Sequence, residues 1–398
     1  MQNDLVKKFL ERHDSFIQED YSNSRDIITK NVMKSRIVVL GGAGSIGSKV
    51  VELLCSYNPS LIHVIDINEN GLVELVRNIR SSQGYTTGEF KTFVMDIGHN
   101  DFEKFINNGE GYDIWLNFSA MKHVRSEKDA YSLMRLININ IINTYKTLKL
   151  ASKSNAKKYF SVSTDKAANP INLMGASKRI MEKILGAFSN HIDVSSARFG
   201  NVAFSSGSLL DGMINRFNFM QPLVAPKDVV RYFITSEEAA KLSILATFMG
   251  KNGELFIPNS NLRNLECSFP KIVKNFLDYK GYQMDICSSE EEARQKVKTI
   301  NSKNKWPCYL FNTDTDGEKL KEIFIGKNDK LKEDRFSKLQ IISLKNICKI
   351  DDIEIFIKSI DNLRNKKTWS VAEISNLIKF LIKDFEHYHT GKSLDSRM

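Results

Sequence analysis

A group of closely spaced glycines near the start of the sequence, in the stretch VVLGGAGSIGSKVVELL (38–54), constrains the fold more than any other feature. The glycines follow an apolar segment typical of a β-strand and precede a segment typical of a helix. Glycine allows a tight turn there and lets backbone N–H groups approach a pyrophosphate, which binds at the positive end of the helix. The pattern predicts a dinucleotide-binding loop. Its residues are Gly41, Gly44, Ser45, Ile46 and Gly47.

Six β-rich segments alternate with amphipathic stretches along the first half of the chain. Their ranges are 36–40, 61–66, 90–96, 114–119, 158–163 and 194–199. A βαβ alternation of this kind gives a parallel sheet that is covered by helices on both faces. The sequence therefore predicts an α/β fold of the Rossmann type, with a doubly wound parallel sheet.

The pattern changes on both sides of this core. Residues 1–34 carry apolar positions at near-helical spacing and predict a helical arm, with a frayed tail as the alternative. We place the NAD-binding domain at 35–200. The alternation then becomes irregular, so 201–330 is predicted to be mainly a smaller substrate-binding lobe, interleaved with the core. Lys-rich helical patterns predict a helical extension at 331–398.

Two aspartates end the second and third predicted strands and specify the dinucleotide. Asp66 lies where a carboxylate can accept hydrogen bonds from the adenosine ribose and repel a 2′-phosphate. NAD is therefore predicted rather than NADP, with a cap on the helix that starts near Glu69 as the alternative role of Asp66. Asp96, followed by Ile97, is predicted to contact the adenine, with a simple turn as the alternative.

Composition and charge argue against several classes of protein. The 398-residue chain is 42% hydrophobic and 26% charged, as in ordinary soluble globular proteins. It has no run of the roughly 18 to 20 apolar residues that span a bilayer, and its charged N-terminus does not resemble a signal peptide. We therefore expect a cytoplasmic protein without an integral membrane segment. The formal charge of +10 is spread along the chain, which favours a phosphorylated small substrate over nucleic acid.

The spacing of cysteine and histidine predicts neither disulfides nor a metal site. Five cysteines are scattered without a C-x-x-C pair, which argues against a disulfide framework and a thiolate zinc site. His387 and His389 lie two positions apart, a spacing that suits neither one helical face nor the zincin pattern. We expect no bound metal.

Several separated segments together resemble one known family. They are GGAGSIGS (41–48), NFSAMKHV (117–124), STDKAANPINLMGASK (163–178), RFGNVAFSSGS (198–208) and RYFITSEEAA (231–240). Over roughly residues 36–265, the chain resembles the extended short-chain dehydrogenase/reductases that act on nucleoside-diphosphate sugars. It most resembles bacterial polysaccharide-biosynthesis proteins of the UDP-N-acetylglucosamine 4,6-dehydratase kind.

The resemblance implies an internal redox reaction, in which bound NAD takes hydride from sugar C4 and returns it to C6 after water has left. It implies that Asp165 is the acid for the 6-hydroxyl and Lys166 the base for C5, with Thr164 bonded to the 4-hydroxyl. A Lys can act as a base only where burial or a cationic neighbour lowers its pKa. For an isolated Asp-Lys pair, a capped turn beside a solvated charge would be the simpler interpretation.

One position departs from the pattern of the wider family. The resemblance implies that Lys178 holds the nicotinamide ribose, and in the family this Lys also lowers the pKa of a tyrosine four residues earlier. Met174 occupies that position here, on the same helical face as Lys178. A thioether cannot accept the proton of the 4-hydroxyl, so this role falls to Asp165, Lys166 or a bound water. Dehydratases that resemble this sequence in carrying Met retain the configuration at C5, which the resemblance therefore implies for this chain.

The remaining candidate site residues come from the same resemblance. Ala120 is placed beside the cofactor. Lys122 and His123 are placed where cofactor and substrate meet, with a packing role as the alternative for His123. Asn201 and Arg231 resemble positions that contact the nucleotide diphosphate, for which a guanidinium is well suited. A surface salt bridge is the alternative for Arg231.

The resemblance implies that the chain converts a UDP-sugar to a 4-keto-6-deoxy product for a surface polysaccharide or glycan. A nucleotide-sugar 4-epimerase shares the fold, the cofactor and the lysine, but it relies on the tyrosine and needs no Asp-Lys pair. A non-catalytic dinucleotide sensor would explain the missing tyrosine, but not the retained Asp165, Lys166 and Lys178. We also expect tightly bound NAD and a homo-oligomer.

Overall fold

Strands and helices alternate along the first half of the chain and less regularly after residue 200. The computed structural model describes residues 8–12, 14–85, 88–259, 261–298, 304–313, 319–332 and 335–386. The strands are β1 (Arg36–Leu40), β2 (Leu61–Asp66), β3 (Glu89–Val94), β4 (Ile114–Asn117), β5 (Lys158–Thr164), β6 (Asp193–Phe199), β7 (Asn201–Val202), β8 (Leu223–Pro226), β9 (Val230–Ile234), β10 (Glu254–Pro258), β11 (Glu266–Ser268), β12 (Gln283–Cys287), β13 (Lys305–Phe311) and β14 (Leu339–Ser343). The helices are α1 (Gln18–Met33), α2 (Gly47–Cys55), α3 (Glu69–Gln83), α4 (Asn100–Asn107), α5 (Ala130–Ile137), α6 (Asn143–Lys153), α7 (Leu173–Phe188), α8 (Leu209–Asn218), α9 (Ser236–Phe248), α10 (Phe269–Tyr279), α11 (Glu290–Val297), α12 (Ile350–Arg364) and α13 (Val371–Leu381).

Eight of these strands form the main sheet, in the order β14-β10-β6-β5-β4-β1-β2-β3. All neighbours are parallel except β10 and β14, which run antiparallel. Every residue of β1 after Arg36 is buried, because a parallel strand with helices on both faces has no side in solvent. The prediction of an α/β, Rossmann-type doubly wound sheet is confirmed.

All six predicted strands are present, with small differences at their ends. Two of them, β3 and β4, end two residues earlier than predicted. The Asp96 carboxylate accepts a hydrogen bond from the N–H of Gly98 at 2.8 Å, just after β3. The Asn117 side chain accepts one from the N–H of Ser119 at 3.0 Å, at the end of β4. Such side-chain turns compete with the sheet ladder and end a strand.

Helices pack against the main sheet in two groups. Helix α9 contacts β5 and β6, and α1 and α2 pack against it. Helix α7 also contacts β5 and β6, and α6, α12 and α13 pack against it. Among the described residues, no helix is both long and apolar enough to cross a bilayer.

A second, smaller core lies beyond residue 200. The small sheets β12-β13-β8 and β11-β9-β7 contribute to a separate cluster of apolar side chains, which includes Leu223, Phe233 and Trp306. Phe9, from the N-terminal segment, belongs to this cluster, whereas Ile28 of α1 belongs to the main core. The N-terminal segment therefore reaches both cores. The domain boundaries stay predictions, since the main sheet also takes β10 and β14 from beyond residue 200.

The C-terminal region differs from the helical extension that the sequence predicts. Helices α12 and α13 lie there, but the region also contributes β14. Strand β14 carries the β-branched pair Ile341 and Ile342 and runs antiparallel to β10. It covers a sheet edge that would otherwise present unpaired backbone groups. Pairing with a strand far away in the sequence thus decides the structure of a stretch whose local pattern suits a helix or a strand.

Candidate active site

The order of the main sheet reverses at β1, which pairs with β2 on one side and β4 on the other. In open α/β sheets, ligands bind outside the carboxyl ends of the strands at such a reversal. The loops after β1 and β4 meet there, and the N–H of Phe118 donates to the carbonyl of Leu40 at 2.8 Å. The predicted dinucleotide loop therefore lies at the expected crevice.

The glycine loop lies so close to its surroundings that two of its positions exclude a side chain. Gly41 has a φ of +74°, and a Cβ on it would lie 2.5 Å from the backbone nitrogen of Ser119. A Cβ on Gly47 would lie 2.4 Å from the carbonyl oxygen of Gly41. Helix α2 begins at Gly47, so its first backbone N–H groups adjoin the loop. The loop between the two positions contains Gly44, Ser45 and Ile46. This cradle fits a pyrophosphate.

Asp66 supports the glycine loop from the end of β2. Its carboxylate accepts hydrogen bonds from the N–H of Ala43 and the N–H of Asn68, each at 2.9 Å. The cap of α3 is Asn68, whose side chain accepts a hydrogen bond from the N–H of Gly71 at 3.0 Å. The capping alternative for Asp66 is therefore wrong, and its carboxylate lies beside the loop as the cofactor prediction requires.

The other predicted cofactor residues lie at the carboxyl ends of β3 and β4. Besides its turn, Asp96 forms an ion pair with Arg135 at 3.3 Å. Ile97 is buried. Ala120 is exposed in the loop after β4. It directly follows Ser119, whose backbone leaves no room for a side chain at Gly41. Their contact with a cofactor stays a prediction.

Three consecutive residues at the carboxyl end of β5 form a hydrogen-bonded cluster. Thr164 Oγ1 donates to Asp165 Oδ1 at 2.8 Å, and Lys166 Nζ donates to the same oxygen at 3.2 Å. The Asp165 side chain is 0% exposed and that of Lys166 19%, so Lys166 is not a solvated charge. Within the described residues, Asp165 Oδ2 has no hydrogen-bond partner. A carboxylate and an amine in direct contact can exchange a proton.

Lys166 also contacts two groups from distant parts of the chain. Its Nζ donates to Asn201 Oδ1 at 3.4 Å and lies 3.9 Å from Glu322 Oε1. The structure thus places the Asn201 side chain on Lys166, and a contact of Asn201 with a diphosphate stays a prediction. The sequence analysis missed Glu322, because its Lys-rich surroundings carry no motif that points to Lys166.

Met174 and Lys178 lie one turn apart on α7. Lys178 Nζ donates to the carbonyl of Val162 at 3.0 Å. Burial lowers the pKa of Lys178 to about 8, against a smaller opposing effect of Glu182. Met174 is 2% exposed, and its N–H donates to Glu127 Oε1 at 2.8 Å. The position that holds a tyrosine in the wider family is therefore a buried thioether, which cannot take up a proton.

A π-helical turn between α5 and α6 (Asn138–Ile142) adds a residue that the sequence analysis missed. Asn140 accepts a hydrogen bond from the N–H of Met121 and donates one to its carbonyl, both at 2.9 Å. The same amide donates to Ser177 Oγ at 2.9 Å. An extra residue in a helical turn redirects a side chain, and here it fixes the loop after β4 to α7. The residue pattern of NINII gives no sign of this turn.

Lys122 and His123 extend from the loop after β4 towards a neighbouring loop. Lys122 Nζ donates to the carbonyl of Ser206 at 3.0 Å and to Ser205 Oγ at 3.3 Å. A Cβ on Gly207 would lie 3.3 Å from His123 Nε2, so the imidazole packs on that glycine. Burial lowers the pKa of both Lys122 and His123. Their contact with a substrate stays a prediction.

Arg231 is buried, so the surface salt bridge considered as its alternative role is wrong. Its Nη1 donates to the carbonyl of Val230 at 2.9 Å and to that of Leu320 at 3.3 Å. The guanidinium therefore links β9 to a segment from the C-terminal half. Recognition of a diphosphate by Arg231 stays a prediction.

The described residues contain no group of three or more His, Cys, Asp or Glu side chains that could hold a metal ion. His387 and His389 lie outside the described residues. All five cysteines are free thiols in the structure.

The chain is similar to several named proteins. It is 32% identical to "Uncharacterized membrane protein MJ1061" of Methanocaldococcus jannaschii, over 58% of this chain and 68% of that protein. It is 26% identical to the capsular polysaccharide biosynthesis protein CapD of Staphylococcus aureus, over 87% of this chain and 54% of CapD. It is 28% identical to a UDP-N-acetylglucosamine 4,6-dehydratase (inverting) of Campylobacter jejuni, over 56% of this chain and 66% of that enzyme. The chain thus spans about half the length of CapD.

Solved structures share the fold at low sequence identity. Pen from Bacillus thuringiensis aligns with a TM-score of 0.64 and 20% identity, over 88% of this chain and 98% of Pen. A UDP-N-acetylglucosamine 4-epimerase from Methanobrevibacter ruminantium aligns with a TM-score of 0.53 and 19% identity, over 74% of this chain and 90% of that enzyme. A family model described as polysaccharide biosynthesis protein matches residues 37–344. The predicted family resemblance is confirmed: the chain belongs to the polysaccharide biosynthesis protein family.

Proposed function

We propose that this protein is a nucleotide-sugar 4,6-dehydratase that acts on UDP-N-acetylglucosamine with NAD bound at the glycine loop. The observation that carries the proposal is the contact between the buried Asp165 and Lys166, 3.2 Å apart, in a site where Met174 replaces a tyrosine. The similarity to the C. jejuni dehydratase supports the same substrate and the loss of water. That enzyme is named as inverting, so the retention at C5 proposed below rests on Met174 and Lys166 and not on this similarity.

The residues of the crevice fit NAD. The cradle at Gly41 and Gly47 would hold the pyrophosphate and Lys178 the nicotinamide ribose. Each Asp66 oxygen already accepts one hydrogen bond and can accept a second from an adenosine ribose hydroxyl. When bound, NAD supplies a hydride acceptor that is restored within one turnover. The carboxylate of Asp66 would repel the additional phosphate of NADP.

The Asp165–Lys166 pair can supply both proton-transfer groups that dehydration needs. Dehydration needs Asp165 as a carboxylic acid and Lys166 as a free amine, and the two groups lie 3.2 Å apart. The amine removes the proton from C5 once C4 is a ketone, and the acid protonates the departing 6-hydroxyl, which leaves as water. Lys166 then returns its proton to C5 as hydride reaches C6.

The proton of the 4-hydroxyl needs an acceptor other than Met174. In this proposal Thr164 Oγ1 bonds the 4-hydroxyl and passes its proton to the carboxylate of Asp165, 2.8 Å away, as C4 is oxidised. Asp165 later gives this proton to the departing 6-hydroxyl, so the proton balance closes. Because Lys166 both removes and returns the C5 proton from one face, the configuration at C5 is retained. The proposed product is therefore the D-xylo 4-keto-6-deoxy sugar rather than the L-arabino sugar.

Incubation of the protein with a panel of UDP- and GDP-sugars tests the proposal. We expect UDP-N-acetylglucosamine to lose the mass of one water molecule, and NMR of early samples in deuterium oxide to give the D-xylo configuration. Early sampling matters because the ketone epimerises in solution. An early L-arabino product would show that protonation comes from the opposite face.

The test also separates the alternatives. A C4 epimer of unchanged mass would identify an epimerase. An unchanged substrate with every sugar in the panel would favour a non-catalytic dinucleotide sensor.

A further inference from the structure

A segment from the C-terminal half of the chain crosses the carboxyl end of β5, the strand that Asp165 and Lys166 follow. We call residues 319–329 the strap. The N–H of Val230 donates to the carbonyl of Leu320 at 2.9 Å, so the strap pairs with the start of β9. At its other end, a Cβ on Gly326 would lie 2.1 Å from the carbonyl oxygen of Ala168. The strap is thus in close contact with the backbone two residues after Lys166.

The strap carries a buried carboxylate, Glu322, whose side chain is 2% exposed. Its Oε1 lies 3.9 Å from Lys166 Nζ and its Oε2 lies 3.3 Å from Lys319 Nζ. Within the described part of the chain, Oε2 has no hydrogen-bond partner. A buried carboxylate is costly unless charges and hydrogen bonds compensate it. The charge of Glu322 is compensated by two ammonium groups, and one of them belongs to the Asp165–Lys166 pair.

The two carboxylates face the same ammonium group. Asp165 Oδ1 is 3.2 Å from Lys166 Nζ, and Glu322 Oε1 is 3.9 Å from it. Asp165 and Glu322 each have one oxygen without a hydrogen bond among the described residues. A lysine side chain has four rotatable carbon bonds, and the second carboxylate restricts where its amine can lie.

We propose that Glu322 is a positioning residue for Lys166, which holds its amine against Asp165 and in place for the C5 proton. This role rests on the proposed dehydratase function and deepens it. It also means that the active site is completed by a segment that lies beyond the NAD-binding domain in the sequence. Lys319 contributes by pairing with the other oxygen of Glu322 and so fixes how far that carboxylate reaches towards Lys166.

The variant Glu322→Gln keeps the shape of the side chain and removes its charge. We expect the rate of deuterium incorporation at C5 to fall about 10- to 100-fold, the usual scale for a misplaced catalytic group. C4 oxidation, followed as the transient absorbance of NADH, and the KM for UDP-N-acetylglucosamine should change less than about threefold. The matched control is Glu266→Gln, which removes another strap contact, the 2.8 Å ion pair with Lys321, and leaves Lys166 untouched.

A second measurement does not need turnover. Acetic anhydride acylates an amine that is free to meet it, and an amine held between two carboxylates is less available to the reagent than one that is released from them. We expect Glu322→Gln to raise the acylation rate of Lys166 several-fold, measured by mass spectrometry against exposed lysines of the same sample. Lys319→Gln should lower it, because Glu322 then has Lys166 as its remaining cation.

Acylation and deuterium incorporation that match the wild type in Glu322→Gln would overturn the positioning role. So would a fall in C5 exchange that Glu266→Gln reproduces. If the wild type dehydrates none of the sugars, the proposed reaction is wrong, and the acylation rates of the Glu322 and Lys319 variants still decide whether Glu322 positions Lys166.

Discussion

At the scale of single residues, the fold lowers the pKa of Lys178, a buried lysine of the candidate site. Its Nζ donates to the carbonyl of Val162 at 3.0 Å inside the protein. Burial lowers its pKa to about 8 from an ordinary 10.5. The folded protein therefore holds this ammonium at a free-energy cost, which an uncharged side chain would not incur.

This cost makes the stability of the protein depend on pH. Between about pH 8 and 10.5 the unfolded chain binds more protons at Lys178 than the folded chain does, so the free energy of unfolding rises with pH through that window. We expect the wild type to gain stability relative to Lys178→Met as the pH rises, measured by urea denaturation. Lys104→Met, at an exposed position, should show no such trend. A difference between wild type and Lys178→Met that stays constant with pH would contradict the shift.

Asp165 and Lys166 give a second prediction at this scale. We expect Asp165→Asn and Lys166→Met each to lower turnover by about a hundredfold or more, the scale for removal of a positioned acid or base. The amount of bound NAD and the far-UV circular dichroism spectrum should stay at wild-type levels. Near-normal turnover in both variants would remove the roles proposed here.

The sequence could predict some of these residues and not others, for a physical reason. Thr164, Asp165 and Lys166 are consecutive, so any strand that ends there brings them together. Glu322 reaches Lys166 only because the strap crosses β5, which is a long-range contact. Asn140 reaches Met121 because a π-turn shifts its direction, and backbone register of this kind leaves no trace in the residue pattern.

At the scale of elements, a buried ionic network anchors the strap to the sheet. Arg198 of β6 donates to Glu182 of α7 through two hydrogen bonds of 2.7 Å, and it also donates to Asp329 at the end of the strap. Asp329 further pairs with Arg179 at 2.9 Å. Burial acts to raise the pKa of Glu182 and of Asp329, but the neighbouring guanidinium groups hold both below their usual values. The strap is thus fastened by charge as well as by packing.

Breaking this network should be costly. We expect Asp329→Asn to lower the free energy of unfolding by about 3 to 5 kcal/mol, because it leaves two guanidinium groups short of a buried partner. Urea denaturation measures the change. The control is Asp361→Asn, in an exposed pair with Arg364 at 3.8 Å, which should cost less than about 1 kcal/mol. A loss no larger than that of the control would contradict the anchoring role.

Among the elements, the buried strands were predictable and β14 was not. Segments such as RIVVL and LIHVID are apolar on both faces, and helices follow them at regular intervals, so the parallel sheet follows from pattern alone. The segment LQIIS of β14 is short and lies among lysines, where the local pattern suits a helix equally well. Its structure depends on β10, whose exposed edge it covers, and local sequence carries no information about that partner.

At the scale of the whole molecule, the N-terminal segment joins the two cores. Phe9 packs in the smaller cluster, 5.6 Å from the ring of Phe276, whereas α1 packs on the main core. Between them, Arg12 forms a buried 2.7 Å ion pair with Glu238 of α9. The N-terminal segment therefore ties the two cores together. The homo-oligomer stays a prediction, which light scattering of the purified protein checks.

NAD gives the prediction that belongs to this scale. In the proposed reaction the hydride is returned in every cycle, and release of the cofactor would strand a keto intermediate. We expect the purified protein to retain NAD without addition, which denaturation and identification of the released nucleotide check. NADP in that sample would contradict the role of Asp66, and an empty site with stoichiometric production of NADH would contradict the internal redox cycle.

The strap and β14 also set the timing of folding during synthesis. At roughly 5 to 20 residues per second, a ribosome needs about 7 to 26 s to make the 131 residues between Arg198 and Asp329. Once β10 (Glu254–Pro258) has been made, it stays an open edge until β14 (Leu339–Ser343) follows, and open edges invite pairing with other chains. We expect the growing polypeptide to become resistant to such association and to complete its active site within the same few seconds, because one late stretch of sequence supplies both β14 and the strap.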